Sequence, residues 1–246
     1  GDRAFKDCYE LANIYIKDVA AWCKISGLNN LMEYGSGEKN LYLNGTLVTN
    51  LVIPDSVTSI ENSTFYGCSG LTSITIPDNV TDIGDSAFYG CSGLASITIP
   101  DSVTSIGSLA FAYCGELKTI KIPKNVTSIG YGVFAGSGIE SISVAKDNVK
   151  YKSAGNCLIE IETKTLISGC KNSIIPNDGS ITSIEDRAFS GCSGLTTVTI
   201  PDSVTNMGEG AFYGCSDLTS VIWNAENCKY TVGSVFVGVY FVLVSN

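Results

Sequence analysis

The chain has 246 residues, a formal net charge of −9 and a pI near 4.5, with 44% apolar and 16% charged residues. That apolar share supports a sizeable core, in one large domain or two small ones, and argues against disorder. An acidic chain without a Lys/Arg cluster lacks the basic footprint that nucleic acid or an anionic membrane surface needs. Histidine is absent, which removes the commonest general base, the commonest metal ligand and the usual partner of a serine or cysteine nucleophile.

From the amino end, residues 2–16 (DRAFKDCYELANIYI) align with residues 85–99 (DSAFYGCSGLASITI). The chain therefore reads as starting within a repeat unit. An insertion over residues 17–50 follows, in which VAAWCKI predicts a short helix and LYLNGTLV a hairpin turning at Asn44-Gly45.

The regular part comes next. Pro54, Pro77, Pro100 and Pro123 are each 23 residues apart, and Cys68, Cys91 and Cys114 keep the same step. Phe65, Phe88, Phe111 and Phe134 follow it, as do the later pairs Phe189/Phe212 and Cys192/Cys215. The Leu71-x-x-Ile74-x-Ile76 pattern, repeated at Leu94 and Leu195, predicts a strand with apolar side chains inward. Proline then ends the ladder and Pro-Asp turns the chain. A second short extended piece, Val80 to Ile83, leads into the Ala-Phe-Tyr-Gly-Cys segment, expected to form a helical or 3₁₀ turn. One such unit buries too little to stand alone, so neighbours must stack.

A second insertion separates Pro123 from Pro176, 53 residues apart where two units would take 46. Within it residues 151–170 (YKSAGNCLIEIETKTLISGC) predict a hairpin turning near Thr163-Lys164, which sets Cys157 opposite Cys170 for a disulfide; a different turn length moves them apart. Near the carboxyl end, Phe236, Val237, Val239, Tyr240, Phe241 and Val242 form an apolar run where terminal units normally turn polar. This predicts a piece of a longer protein, or a last unit that packs on something else. The run is far short of the roughly 20 residues that span a bilayer, and no signal peptide is visible.

Periods of 20 to 29 with an L-x-x-L-x-L core mark leucine-rich repeats. With IPDSVTSIG at residues 99–107 and AFxxC at residues 110–114, the unit resembles the BspA-like leucine-rich repeats of bacterial surface and secreted proteins. The resemblance implies one solenoid over residues 1–246: a curved right-handed coil with a parallel sheet, α/β to mainly β, carrying hairpin insertions near residues 17–50 and 146–175. It implies extracellular proteins that bind host or matrix components, and no shared catalytic residues.

Six cysteines (Cys8, Cys68, Cys91, Cys114, Cys192, Cys215) share one repeat position, where a buried thiol acts as a small hydrophobe. No C-x-x-C pair suggests zinc. The acidic row Asp55, Asp78, Asp101 and Asp202 is a candidate cation site, weighed against the plain preference of aspartate for turns. Tyr66, Tyr89 and Tyr213 are candidates for an aromatic stripe that meets a sugar or protein. The outward strand positions Ser73, Thr75, Ser96, Thr98, Thr119, Lys121, Thr197 and Thr199 form a flat polar face. Together these predict a non-catalytic binding or adhesion module for a protein or glycan, without cofactor or metal. The alternative is a spacer within a larger cell-surface protein. A spacer gains nothing from decorated hairpins, so removing residues 151–170 is expected to weaken binding while the solenoid stays folded.

Overall fold

The structure is a computed structural model that describes residue 8 and residues 10–32, 38–229, 235–236 and 242–244. Two parallel ladders run along the described coils. The longer strands Asn50–Val52, Ser73–Thr75 and Ser96–Thr98 pair in order, with Ile74 beside Ile97. The two-residue strands Ser59–Ile60, Asp82–Ile83, Ser105–Ile106 and Ser128–Ile129 form the second ladder. Pro77 and Pro100 follow closely on the longer strands, and the inward positions of both ladders are apolar. Leu71, Ile74, Ile76, Val80 and Ile83 are all buried in a single unit.

The Ala-Phe-Tyr-Gly-Cys segment is neither helix nor strand. It is a tight turn whose amides serve two partners, and this settles the class as mainly β. The Cys91 N–H donates to the Phe88 carbonyl at 3.1 Å within the coil, and the Phe65 N–H donates to Ala87 of the next coil at 2.8 Å. Phenylalanine rings stack behind these turns, with centroids 5.6 Å apart for Phe65–Phe88 and 5.4 Å for Phe88–Phe111. In the later coils Phe189–Phe212 and Phe212–Phe236 are 4.9 and 5.2 Å apart.

The first insertion forms as the sequence predicts. Asp18 accepts from the Ala21 N–H at 3.1 Å and caps a helix over Val19–Cys23. Asn44 and Gly45, at φ of 51° and 81°, turn the chain between Asn40–Leu43 and Thr46–Leu47. The Trp22 indole N–H donates to the Thr64 carbonyl at 3.0 Å and ties the helix to the solenoid.

The second insertion departs from expectation. It is a three-stranded meander, Tyr151–Ala154, Cys157–Glu160 and Thr165–Ser168, with an extra turn at Gly155-Asn156. Its last strand joins the short-strand ladder beside Ser183–Ile184. The meander lies inside the solenoid as a plate between two hydrophobic cores. Leu158 and Ile167 pack into the core that contains Ile14 to Ile142, whereas Cys157, Ile159 and Leu166 pack into the core that contains Ile175 to Phe236. The expectation that residues 151–170 can be removed without unfolding the chain therefore fails on burial.

The long-strand ladder is interrupted between Asn40–Leu43 and Asn50–Val52, and once more before the meander. Ser96–Thr98 ends one sheet and Thr119–Ile122 begins the next, paired with Ser141–Val144. The short-strand ladder runs on unbroken past this seam, pairing Ser105–Ile106 with Ser128–Ile129. The expectations for residues 2–7 and 237–241 lie outside the described residues.

Candidate binding surfaces

The outward positions of the long strands sit where the sequence puts them. Thr75, Ser96, Thr98, Thr119, Lys121 and Thr197 are exposed, while Ser73 and Thr199 are half-buried. Ser73 stands beside Ser96 and Thr75 beside Thr98 in register. Thr119 and Lys121 follow across the seam, and Thr197 and Thr199 belong to a different sheet with Ser220–Trp223. Ser73, Thr75, Ser96, Thr98, Thr119 and Lys121 thus follow one another along adjacent coils, and Thr197 and Thr199 lie in the later sheet. At the seam a cleft of about 330 Å³ runs between Ile97, Thr98, Pro100 and Lys121.

The tyrosines form a stack rather than a row of open rings. Tyr66 and Tyr89 lie 4.5 Å apart and nearly parallel, and Tyr89 meets Tyr113 at 5.0 Å. Lys39 Nζ covers Tyr66 from 5.6 Å. With ring faces turned on one another, the stack offers edges and hydroxyls, whereas a sugar stacks on a free ring face. Burial, then the neighbouring Tyr66 and Tyr113, raises the pKa of Tyr89. Tyr213 is 51% exposed and lies in the later coils, apart from the stack. Sequence reasoning missed Tyr113 because Ala112 shifts it one place from the repeat position.

A groove of about 410 Å³ follows the short-strand ladder past Ser59, Glu61, Asp82, Asp85 and Ser105. Gly107 lets adjacent coils approach closely beside it, because a Cβ there would strike the Gly84–Asp85 backbone of the preceding coil. Hydrogen bonds from Ser105 and Thr81, each 2.5 Å long, hold the Asp82 carboxyl below the usual range. The acidic row from the turns is exposed and structural in its contacts. Asn79 and Asn125 donate to the carbonyls of Asp55 and Asp101 at 2.6 and 2.7 Å, and Lys124 pairs with Asp101 at 3.2 Å. Among the described residues no group of three or more acidic or sulfur side chains is arranged to hold a metal ion.

The repeat cysteines have a specific task. The thiols of Cys91, Cys114 and Cys215 donate to the carbonyls of Phe65, Phe88 and Phe189 in the preceding coil, at 3.1, 3.2 and 3.0 Å. Burial pushes Cys68 and Cys114 up to about 12. Ser137 stands at the same repeat position but donates within its own coil, to the Phe134 carbonyl at 2.7 Å. Cys157 and Cys170 are buried free thiols. A register shift between Leu158 and Ile159 pairs Leu158 with Ser168, which carries Cys170 past the position opposite Cys157.

The same geometry is shared by known proteins. The model of the BspA type leucine-rich repeat region, in six copies, matches residues 38–158 and 159–240. The chain belongs to the BspA-type leucine-rich repeat family. A leucine-rich repeat protein from Eubacterium ventriosum is similar over 80% of this chain and 61% of its own, at 25% identity and a TM-score of 0.57. A second, from Bacteroides ovatus, is 28% identical over 80% of this chain and 63% of its own, with a TM-score of 0.50. The pneumococcal vaccine antigen PcpA shares the fold alone, at 17% identity over 95% of this chain and 69% of its own, with a TM-score of 0.59. The chain thus spans less than two thirds of the E. ventriosum and B. ovatus proteins. A comparison with curated proteins finds no significant match.

Proposed function

We propose that this BspA-type solenoid is a non-catalytic binding module of a secreted or surface-attached bacterial protein. In this reading it meets a protein or glycan through the outward face of its long strands. The supporting observation is a division of labour within each coil. Inward side chains, the phenylalanine stack and the thiols are committed to the core, whereas Thr75, Ser96, Thr98, Thr119 and Lys121 are exposed and outside it. A flat face of short hydroxyls suits broad, shallow contact in which many small terms add. No helix among the described residues is long and apolar enough to cross a membrane. The spacer reading gains support from the buried meander, which removes the argument that the insertions are decoration.

The test is capture by the immobilised chain from a panel of extracellular-matrix proteins and glycans. Saturable binding to at least one member is expected. Absence of binding across the panel, with the chain folded, would favour the spacer.

A further inference from the structure

One cavity in this acidic chain is bordered by cations. It opens where the coil containing Phe134 is one residue short: Phe134 and Ile139 are five positions apart, against six for Phe88 and Leu94. The shortening sets Thr119 beside Ser141, an offset of 22. It also brings Gly138 so close to the Gly115 carbonyl that no side chain fits there. A cavity of about 190 Å³ remains near the start of the two strands, bordered by Lys118, Lys171, Ser137 and Ser193. Lys118 comes from the solenoid and Lys171 from the segment after the meander.

Each polar group there has capacity to spare. An ammonium carries three donors. Lys118 Nζ uses one on the Gly115 carbonyl at 2.9 Å, and Lys171 Nζ uses one on Glu140 Oε1 at 2.8 Å. The Ser137 hydroxyl donates to Phe134 and keeps its lone pairs free. Ser193 makes no side-chain hydrogen bond to the described residues. Lys118 and Lys171 line the cavity and no carboxylate is among its lining residues, which leaves its wall positive.

We propose that this cavity binds one singly charged acidic sugar, with its carboxylate or sulfate between Lys118 and Lys171 and its hydroxyls on Ser137 and Ser193. A sugar fits better than an acidic side chain of a peptide. Donors and acceptors line the walls, and only Ile139 and Cys192, both buried, add apolar contact. The volume falls below the range of about 300–1,000 Å³ typical of drug-sized ligands, which points to a single ring. None of the outward strand positions lines the cavity, so this proposal and the one above fail separately.

Titration calorimetry at low salt decides it, using glucuronic acid, glucose 6-sulfate, glucose and N-acetyl-aspartate amide. Glucuronic acid or glucose 6-sulfate should bind, the stronger of the two naming the anion, and the other two probes should not. Lys118→Gln and Lys171→Gln should each weaken binding about tenfold or more, with unchanged thermal midpoints. Glu140→Gln should tighten it several-fold, because a competing carboxylate is removed. The proposal is overturned if neither acid binds, if glucose or N-acetyl-aspartate amide binds as well, or if both lysine variants behave as the parent. Retained capture of a matrix partner by Lys118→Gln would leave the strand-face reading intact in any of these cases.

Discussion

A single thiol shows how the repeat assigns its residues. Cys91 is fully buried, donates to Phe65 of the coil before it, and has its pKa raised by burial. Cys114 and Cys215 make the same bond and Cys68 and Cys192 share the burial, so the recurrence reflects packing and hydrogen bonding rather than reactivity. Only Cys8 is exposed and only Cys228 half-exposed. Alkylation with iodoacetamide at pH 8 should therefore label these two in the folded chain and all ten in denaturant. Mass spectrometry counts the adducts, and rapid native labelling of Cys91 or Cys114 would contradict this assignment.

The same thiols give a pH dependence with a definite sign. Folding raises Cys23, Cys68, Cys114, Cys157 and Cys215 to about 12. Stability is therefore unaffected by these thiols below the unfolded value of about 8.5 and falls as pH rises from there toward the folded value of about 12. Urea midpoints measured in reductant should fall steadily from pH 8 to pH 11; a flat profile would contradict the burial. Gly107 makes a complementary point about backbone. Gly107→Ala drives a methyl into the Gly84–Asp85 main chain and should destabilise the chain by about 1–3 kcal/mol in urea unfolding.

Among the elements, the meander carries the strongest consequence. A strand buried on both faces joins two cores, and its neighbours along the chain point to opposite ones. Leu158→Ala and Ile159→Ala should each destabilise by about 2–5 kcal/mol, although they open cavities on opposite sides. Chemical unfolding of the two variants measures this. Removal of the exposed partner in the Lys150–Glu162 pair, at 3.6 Å, should change stability by less than about 1 kcal/mol. The period-2 alternation and Asn44-Gly45 made the first insertion legible in the sequence. The Gly155-Asn156 turn has a local signal of its own, two adjacent residues that tolerate positive φ, and it adds a strand ahead of the hairpin at Thr163-Lys164. Burial on both faces was not legible: Leu158 and Ile159 read as one apolar run, and only the neighbours in space show that each faces a separate core.

At the scale of the whole molecule, repetition makes the architecture readable and hides the sites. The apolar and cysteine positions that recur at 23 residues, from Phe65 to Cys215, hold the coils together. Departures from the period were the better guide, since the one-residue deletion before Ile139 forms the cavity at Lys118 and Lys171. The tyrosine stripe illustrates the limit: spacing places Tyr66 and Tyr89 in a column, but only the 4.5 Å stacking shows that their faces are occupied. The strand face is the reverse case, because alternation alone exposes Thr98 and Lys121, while the seam beside them depends on ladder geometry that no local pattern encodes.

The central claim is that the outward strand face, and not the exposed repeat tyrosine Tyr213, meets the partner. It is tested by comparing capture of a matrix partner by the parent chain, by Thr98→Glu/Lys121→Glu and by Tyr213→Ala, with thermal midpoints as a control. The strand-face variant should lose at least about tenfold in affinity at an unchanged midpoint, and Tyr213→Ala should bind as the parent does. Undiminished capture by the strand-face variant would contradict the account.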